Sequence, residues 1–264
     1  MKIWIMTDLE GVAGVFSFEE HTTPRGRYYE LSKKLLTQEV NAAIEGALES
    51  GADEVLVVDG HGYGGINIED LNEEAKLLSG RPLLLPWALD RGFDAAFVVG
   101  QHAMAGVESA HLSHTESHTS IQNVWINGVK VGEIAIVAAV AGYFNVPLVL
   151  VTGDNAACLE AKSLIPQIET VAVKEGISHG AAISVTPTKA RKMIKEGAKN
   201  ALKKIDKVKP YKIETPIELK VEFTEESKSA AEILSRKSRV EKIDTRTIKI
   251  EDEDLLEALK KWWL

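Results

Sequence analysis

A single cysteine, Cys158, in 264 residues excludes an internal disulfide and any thiolate metal cluster within one chain. It lies in Asp154-Asn155-Ala156-Ala157-Cys158-Leu159 with no neighbouring base, and reads as a small core residue. No block of Lys and Arg offers a phosphate footprint, and a formal charge of -8 with a pI of 5.5 argues against sequence-independent nucleic-acid binding. The nearest basic stretch, Lys189 to Lys212, is interrupted by apolar residues at helical spacing and fits a solvated helix face. No apolar run reaches the ~20 residues needed to cross a bilayer. No charged leader precedes the first strand-like run, so the expectation is a cytoplasmic protein without membrane partners. Tandem repeats and low-complexity linkers are also lacking. What is present, 45% hydrophobic residues in a chain of this length, suffices for a substantial core.

Apolar runs alternate with helical periodicity. Lys2 to Met6 predicts a strand, Tyr29 to Ser50 a helix stopped at Gly51, and Glu54 to Val58 a second strand; strand, helix, strand predicts a right-handed crossover and a parallel pair. A short helix is expected over Ile68 to Leu78, and a third strand over Phe93 to Gly100. The His-rich stretch from Ala103 to Gln122 has no apolar stripe and predicts a loop lining something. Asn127-Gly128 predicts a hairpin turn, followed by a helix over Glu133 to Tyr143 that is apolar nearly all round. A strand over Val146 to Thr152, a helix to Ile165, a strand over Thr170 to Val173 and a helix over Pro187 to Ile205 complete this part. From Pro210 the texture changes to expected strands, Ile217 to Phe223 and Arg239 to Ile250, and short helices, Thr224 to Leu234 and Glu253 to Trp263. The fold class is therefore α/β, a mostly parallel sheet flanked by helices, with a smaller C-terminal α+β section. The expected division is 1–207 for the α/β metal-binding part and 208–264 for the remainder, read either as an oligomerisation section or as part of the same domain sharing one sheet.

The first three strands end in polar residues: Asp8 and Glu10, then His61, then His102. In an open parallel sheet, ligands bind outside the carboxyl ends of the strands, so these side chains converge on one crevice. Asp8 and Glu10, two apart in extended chain, point the same way and repel unless a cation or a proton lies between them. Glu133, a lone acid on the first turn of an apolar helix, is the fifth member. Three carboxylates and two imidazoles form the mixed oxygen and nitrogen set that zinc, manganese or cobalt accepts, and five donors suggest two ions sharing one carboxylate. Asp8, first out of its strand, is the expected bridge. Asp59 and Asp154 also follow strands, and either could replace a member or hold a ligand imidazole from behind. Among the loop histidines His111, His114 and His118, His114 is the preferred proton carrier, while His21 and His179 are read as structural.

Asp8-Leu9-Glu10-Gly11, Asp59-Gly60-His61, Gly100-Gln101-His102, Leu112-Ser113-His114 and Asn127-Gly128 with Val131-Gly132-Glu133 together resemble the zinc-dependent D-aminopeptidases of the DppA type. The five matches fall in order within the first 155 residues, and the remainder supplies no sharp motif. The resemblance implies two zinc ions held by Asp8, Glu10, His61, His102 and Glu133 with Asp8 bridging. It further implies a catalytic histidine, described as a nucleophile, at His114, a short peptide substrate, and a homodecamer of two stacked pentamers. Leu112 stands where Met is familiar, and the spacing between His114 and Asn127 is shifted. Two other readings compete. Asp8-Leu9-Glu10-Gly11 also resembles the Asp-x-Asp-Gly opening of haloacid-dehalogenase phosphatases, with Asp8 as phosphoryl acceptor and magnesium as the ion. A metal-stabilised, non-catalytic peptide-binding scaffold is the third.

Overall fold

The computed structural model describes residues 1–263 and contains two sheets. In chain order the regular elements are β1 (Lys2–Thr7), α1 (Tyr29–Glu49), β2 (Glu54–Asp59), β3 (Ala75–Leu78), β4 (Ala95–Gln101), β5 (Ile121–Ile126), β6 (Val129–Val131), α2 (Glu133–Tyr143) and β7 (Leu148–Asp154). They continue with α3 (Asn155–Leu164), β8 (Glu169–Ser178), β9 (Ala181–Ser184), α4 (Pro187–Lys203), β10 (Ile217–Phe223), α5 (Ser229–Leu234), β11 (Val240–Lys242), β12 (Thr247–Asp252) and α6 (Leu255–Trp263). The larger sheet has the order β3-β2-β1-β4-β7-β8-β9, parallel throughout except for its last pair. The smaller is antiparallel, β11-β12-β10-β5-β6. This is the α/β architecture the alternation predicts.

Central strands β1, β4 and β7 are buried along nearly their whole length, as expected when both faces of a parallel sheet are covered. Helices α1 and α4 cross so closely at Gly46 that a Cβ there would fall 2.4 Å from the Lys195 carbonyl oxygen. Helix α2 is buried from Ile134 to Gly142, which accounts for its lack of a polar face. No described helix is long and apolar enough to cross a membrane.

Several elements depart from the periodicity. The expected helix over Ile68 to Leu78 is a single turn, Ile68–Asp70, followed by edge strand β3. Asparagines cause this: Asn67 caps the turn by accepting from the Glu69 amide, and Asn72 accepts from the Glu74 amide, so side chains take hydrogen bonds a longer helix would need. The strand expected over Thr170 to Val173 runs on to Ser178 and folds back as β9. The region Arg239 to Ile250 is a hairpin, β11 and β12, turned where Asp244 accepts from the Arg246 amide. The β5–β6 hairpin with its Asn127-Gly128 turn pairs with β10, so the smaller sheet draws strands from both sides of residue 207.

Glycine brings the strand ends together. Gly100, at φ +82°, lies where a Cβ would sit 2.1 Å from the Asp8 carbonyl oxygen; at Gly11 and Gly153 it would meet the Gln101 carbonyl at 2.1 and 1.9 Å. Only a residue without Cβ lets β1, β4 and β7 close at this point. The Gly11 amide completes the contact by donating to the Gly100 carbonyl at 2.7 Å.

Candidate metal centre

At this junction Asp8, Glu10, His61, His102 and Glu133 meet, as the strand-end reading predicts. Asp8 Oδ1 lies 3.2 Å from His61 Nδ1, and Asp8 Oδ2 lies 3.2 Å from His102 Nε2. Glu10 Oε2 is 3.3 Å from the same His61 nitrogen, and Glu133 Oε1 is 3.3 Å from the same His102 nitrogen. The donors thus form two groups, Asp8-Glu10-His61 and His102-His114-Glu133, each with ligand atoms within 4.8 Å of one another. His114 Nε2 reaches 4.0 Å from Glu133 Oε1, and its ring stacks on His102 at 3.8 Å.

Each imidazole is oriented from behind. His61 Nε2 donates to the Thr22 carbonyl at 2.8 Å, His102 Nδ1 to the Ala103 carbonyl at 2.9 Å, and His114 Nδ1 to the Leu112 carbonyl at 2.9 Å. A backbone acceptor on one ring nitrogen fixes that proton in place, so that when a cation displaces the proton on the other nitrogen its lone pair faces the centre, the arrangement that metal-ligating histidines use. Buried Glu10 Oε2 and His102 Nε2 have no hydrogen-bond partner among the described residues. A buried polar atom without a hydrogen bond is costly, and one of these two lies in each donor group, where a divalent cation would satisfy it. The donor chemistry and these orphaned atoms therefore fit a metal.

The fields agree. Burial opposes charge on His61 and His102, but Glu10 and Asp8 around the first, and Glu133 and Asp8 around the second, raise both imidazoles well above their usual range. Burial would raise Glu133, yet His102 holds it down to about 2. His114 moves the other way: burial and His102 lower it, which keeps its ring neutral.

Three supporting residues escaped the sequence reading. Gln101 donates through Nε2 to Glu133 Oε2 at 3.2 Å and to Asp8 Oδ2 at 3.4 Å, tying the two groups; its signal is a lone amide ending an apolar strand. Lys174, buried on β8, donates through Nζ to the carbonyls of Glu10 and Val15, fixing the segment that carries Glu10. Arg81 clamps the turn carrying His61: Nη2 donates to the carbonyls of Asp59, Gly60 and His61, and Nε to that of Gly62 at 2.8 Å. Lysine has the charge but not the planar fork. Arg81→Lys is therefore expected to weaken metal binding at the Asp8-Glu10-His61 group by about 10–100-fold. Zinc titration against a competing chelator should show this weakening relative to wild type; unchanged affinity would refute the clamp.

Asp59 and Asp154 are committed elsewhere. Asp59 accepts from the Gly65 amide and the Ser79 hydroxyl, and Asp154 caps α3 and accepts from the His111 amide. His118 stacks on Phe18 at 4.1 Å, His111 donates to the Phe16 carbonyl, and His179 donates to the Ser113 carbonyl. His21 packs on Tyr28 and Phe16. A cleft of about 680 Å³ opens over Asp8, Glu10, His61, His114 and Glu133, with Thr22 and Thr23 of the first loop on its wall.

Carboxylates and imidazoles paired in a cleft at the carboxyl edge of a parallel sheet are the donor set of a metallohydrolase. The chain belongs to the D-aminopeptidase family, peptidase M55, whose profile matches residues 1–264, and it is a hydrolase of that kind. It is 34% identical to the D-aminopeptidase of Bacillus subtilis (strain 168) over 261 residues, 98% of this chain and 94% of that protein. It is also similar to a solved structure, the Zn-dependent D-aminopeptidase DppA from Bacillus subtilis, described as a self-compartmentalizing protease. The TM-score is 0.92 at 34% identity, covering 99% of this chain and 95% of that one. The family read from the strand-end motifs and the α/β class both hold.

Proposed function

We propose that this protein is a di-zinc aminopeptidase that releases N-terminal residues, of D configuration, from short peptides or amides. The observation that carries this is Asp8, whose two oxygens are divided between the two donor groups, one toward His61 and the other toward His102. Asp8, Glu10 and His61 would hold one ion, and Asp8, His102 and Glu133 the other. Bound zinc supplies Lewis acidity toward a carbonyl and toward water. His114, with Nδ1 on the Leu112 carbonyl and a neutral ring, presents Nε2 to the cleft as the catalytic group, able to attack or to carry a proton to the leaving amine. Gln101 keeps the Asp8 and Glu133 carboxylates facing their partners. A phosphoryl acceptor needs a free oxygen facing substrate, whereas both Asp8 oxygens face imidazoles, which disfavours the phosphatase reading.

The likeness to a self-compartmentalizing protease supports assembly into a closed homo-oligomer, a decamer of two stacked pentamers on the family pattern. The test of function is metal content with paired substrates. Protein purified without chelator should carry two zinc ions per chain and hydrolyse D-amino-acid amides in preference to L; chelation should abolish turnover and zinc should restore it. Turnover that survives complete metal removal would overturn the proposal.

A further inference from the structure

The cleft has a second wall that the metal centre does not use. Beside the acids and imidazoles it is lined by Leu83, Leu84, Leu85 and Trp87 of the segment before β4, by Trp263 of α6, and by Val137, one turn along α2 from Glu133. Resting on the aminopeptidase reading, we propose that this wall is a side-chain subsite, and that the substrate carries a bulky apolar side chain, leucine- or phenylalanine-sized, on the residue beside the scissile bond.

Four observations converge on this. Leu84 is 57% exposed and lies on the cleft wall, where its side chain adds little to the core. The wall is anchored rather than pliable: Trp4 in β1 donates through Nε1 to the Trp87 carbonyl at 3.0 Å, and Trp87 packs between Trp4 and Trp263 at ring separations of 6.4 and 5.6 Å. Trp87 and Ala88 are both held in the left-handed region, at φ 57° and 63°, a conformation bulky residues keep only when packing fixes it. The cations nearby are already engaged, since Arg81 caps backbone carbonyls and Lys260 pairs with Glu257 at 2.8 Å. The N–H donors of Arg81 are thus largely spent on carbonyl oxygens, so an occupant of this part of the cleft meets mainly apolar side chains, which favours a hydrocarbon side chain. The volume, about 680 Å³, lies in the range that accommodates a small-molecule ligand.

The experiment compares D-alanine, D-leucine and D-phenylalanine p-nitroanilides on the zinc-loaded enzyme, with wild type, Leu84→Ser and Trp263→Ala. Wild type should favour the leucine and phenylalanine substrates over alanine by roughly 10–100-fold in kcat/KM. Either substitution should shrink that preference through KM. Calorimetry of D-phenylalanine amide against D-alanine amide on the zinc-free protein gives a readout independent of turnover, with tighter binding expected for the phenylalanine compound in wild type only. Because Leu84 is exposed, its substitution leaves the core intact, and a thermal melt confirms folding of both variants. No turnover of any substrate together with a retained binding preference would sink the peptidase reading and leave the subsite standing. Equal binding and equal turnover of the three side chains would overturn the subsite.

Discussion

Under the proposed di-zinc assignment, replacing His102 by alanine is expected to reduce zinc from two ions to one per chain and to lower turnover on D-amino-acid amides by about 1000-fold or more. The side chain is almost wholly buried, at 2% exposure, and its Nε2 is the one imidazole atom placed against both Asp8 Oδ2 and Glu133 Oε1. Without it the second donor group keeps Asp8 Oδ2 and Glu133 and only the more distant His114 for an imidazole, so it loses its one close nitrogen donor and should no longer hold a zinc ion firmly. The first group, Asp8, Glu10 and His61, is untouched and should retain its ion, so elemental analysis separates local loss from unfolding. Gln101 remains hydrogen bonded to both Asp8 and Glu133, which preserves the local backbone. Full activity with two zinc ions in His102→Ala would remove His102 from the centre and with it the two-group arrangement.

The parts of this centre that the sequence exposes are those whose position follows from where an apolar run stops. Asp8, Glu10, His61 and His102 each follow a buried strand by one to three residues, and parallel pairing alone brings such ends to one edge. Glu133 shows as the one acid on an apolar helix. The groups that escaped act through the main chain of distant residues. Arg81 reaches back 20 residues to the His61 carbonyl and Lys174 reaches 164 to that of Glu10, and carbonyl acceptors carry no sequence signature. Gly100, Gly11 and Gly153 appear in sequence as ordinary turn residues; their function, letting three strand ends meet at the Asp8 and Gln101 carbonyls, depends on tertiary approach. The mixed origin of the smaller sheet has the same cause: Asn127-Gly128 specifies a hairpin, but its partner β10 lies some ninety residues on, and antiparallel pairing at that range leaves no local trace.

Glutamate to glutamine at position 39 should stabilise the protein at alkaline pH and leave it nearly unchanged at pH 5. Glu39 lies on α1, buried, with Oε1 accepting from the Ala13 amide at 2.9 Å and Oε2 without a partner among the described residues. Burial pushes its carboxyl from 4.5 up to about 8, against the opposing pull of the Ala13 amide, Lys174 and Arg191. The folded state therefore holds a proton that the unfolded state has released between these two values. Its contribution to stability is full below the unfolded pKa and declines as pH rises through the folded one. At 1.36 kcal/mol per pKa unit the upper bound on that decline is about 5 kcal/mol. Buried Lys174, lowered by burial to about 8, acts in the opposite sense, adding stability above that pH as the unfolded chain binds the extra proton. Both chains share the metal centre, but Glu39 helps to hold the Lys174 ammonium charged, so the comparison at pH 5 and 7, below the Lys174 range, reads Glu39 most directly. Glutamine keeps an amide oxygen for the Ala13 N–H and has no charge to bury. Urea unfolding of wild type and Glu39→Gln at pH 5, 7 and 9 should show the glutamine chain gaining steadily, by several kcal/mol at pH 9. A difference independent of pH would mean that the Glu39 carboxyl ionises in the folded protein as it does in water.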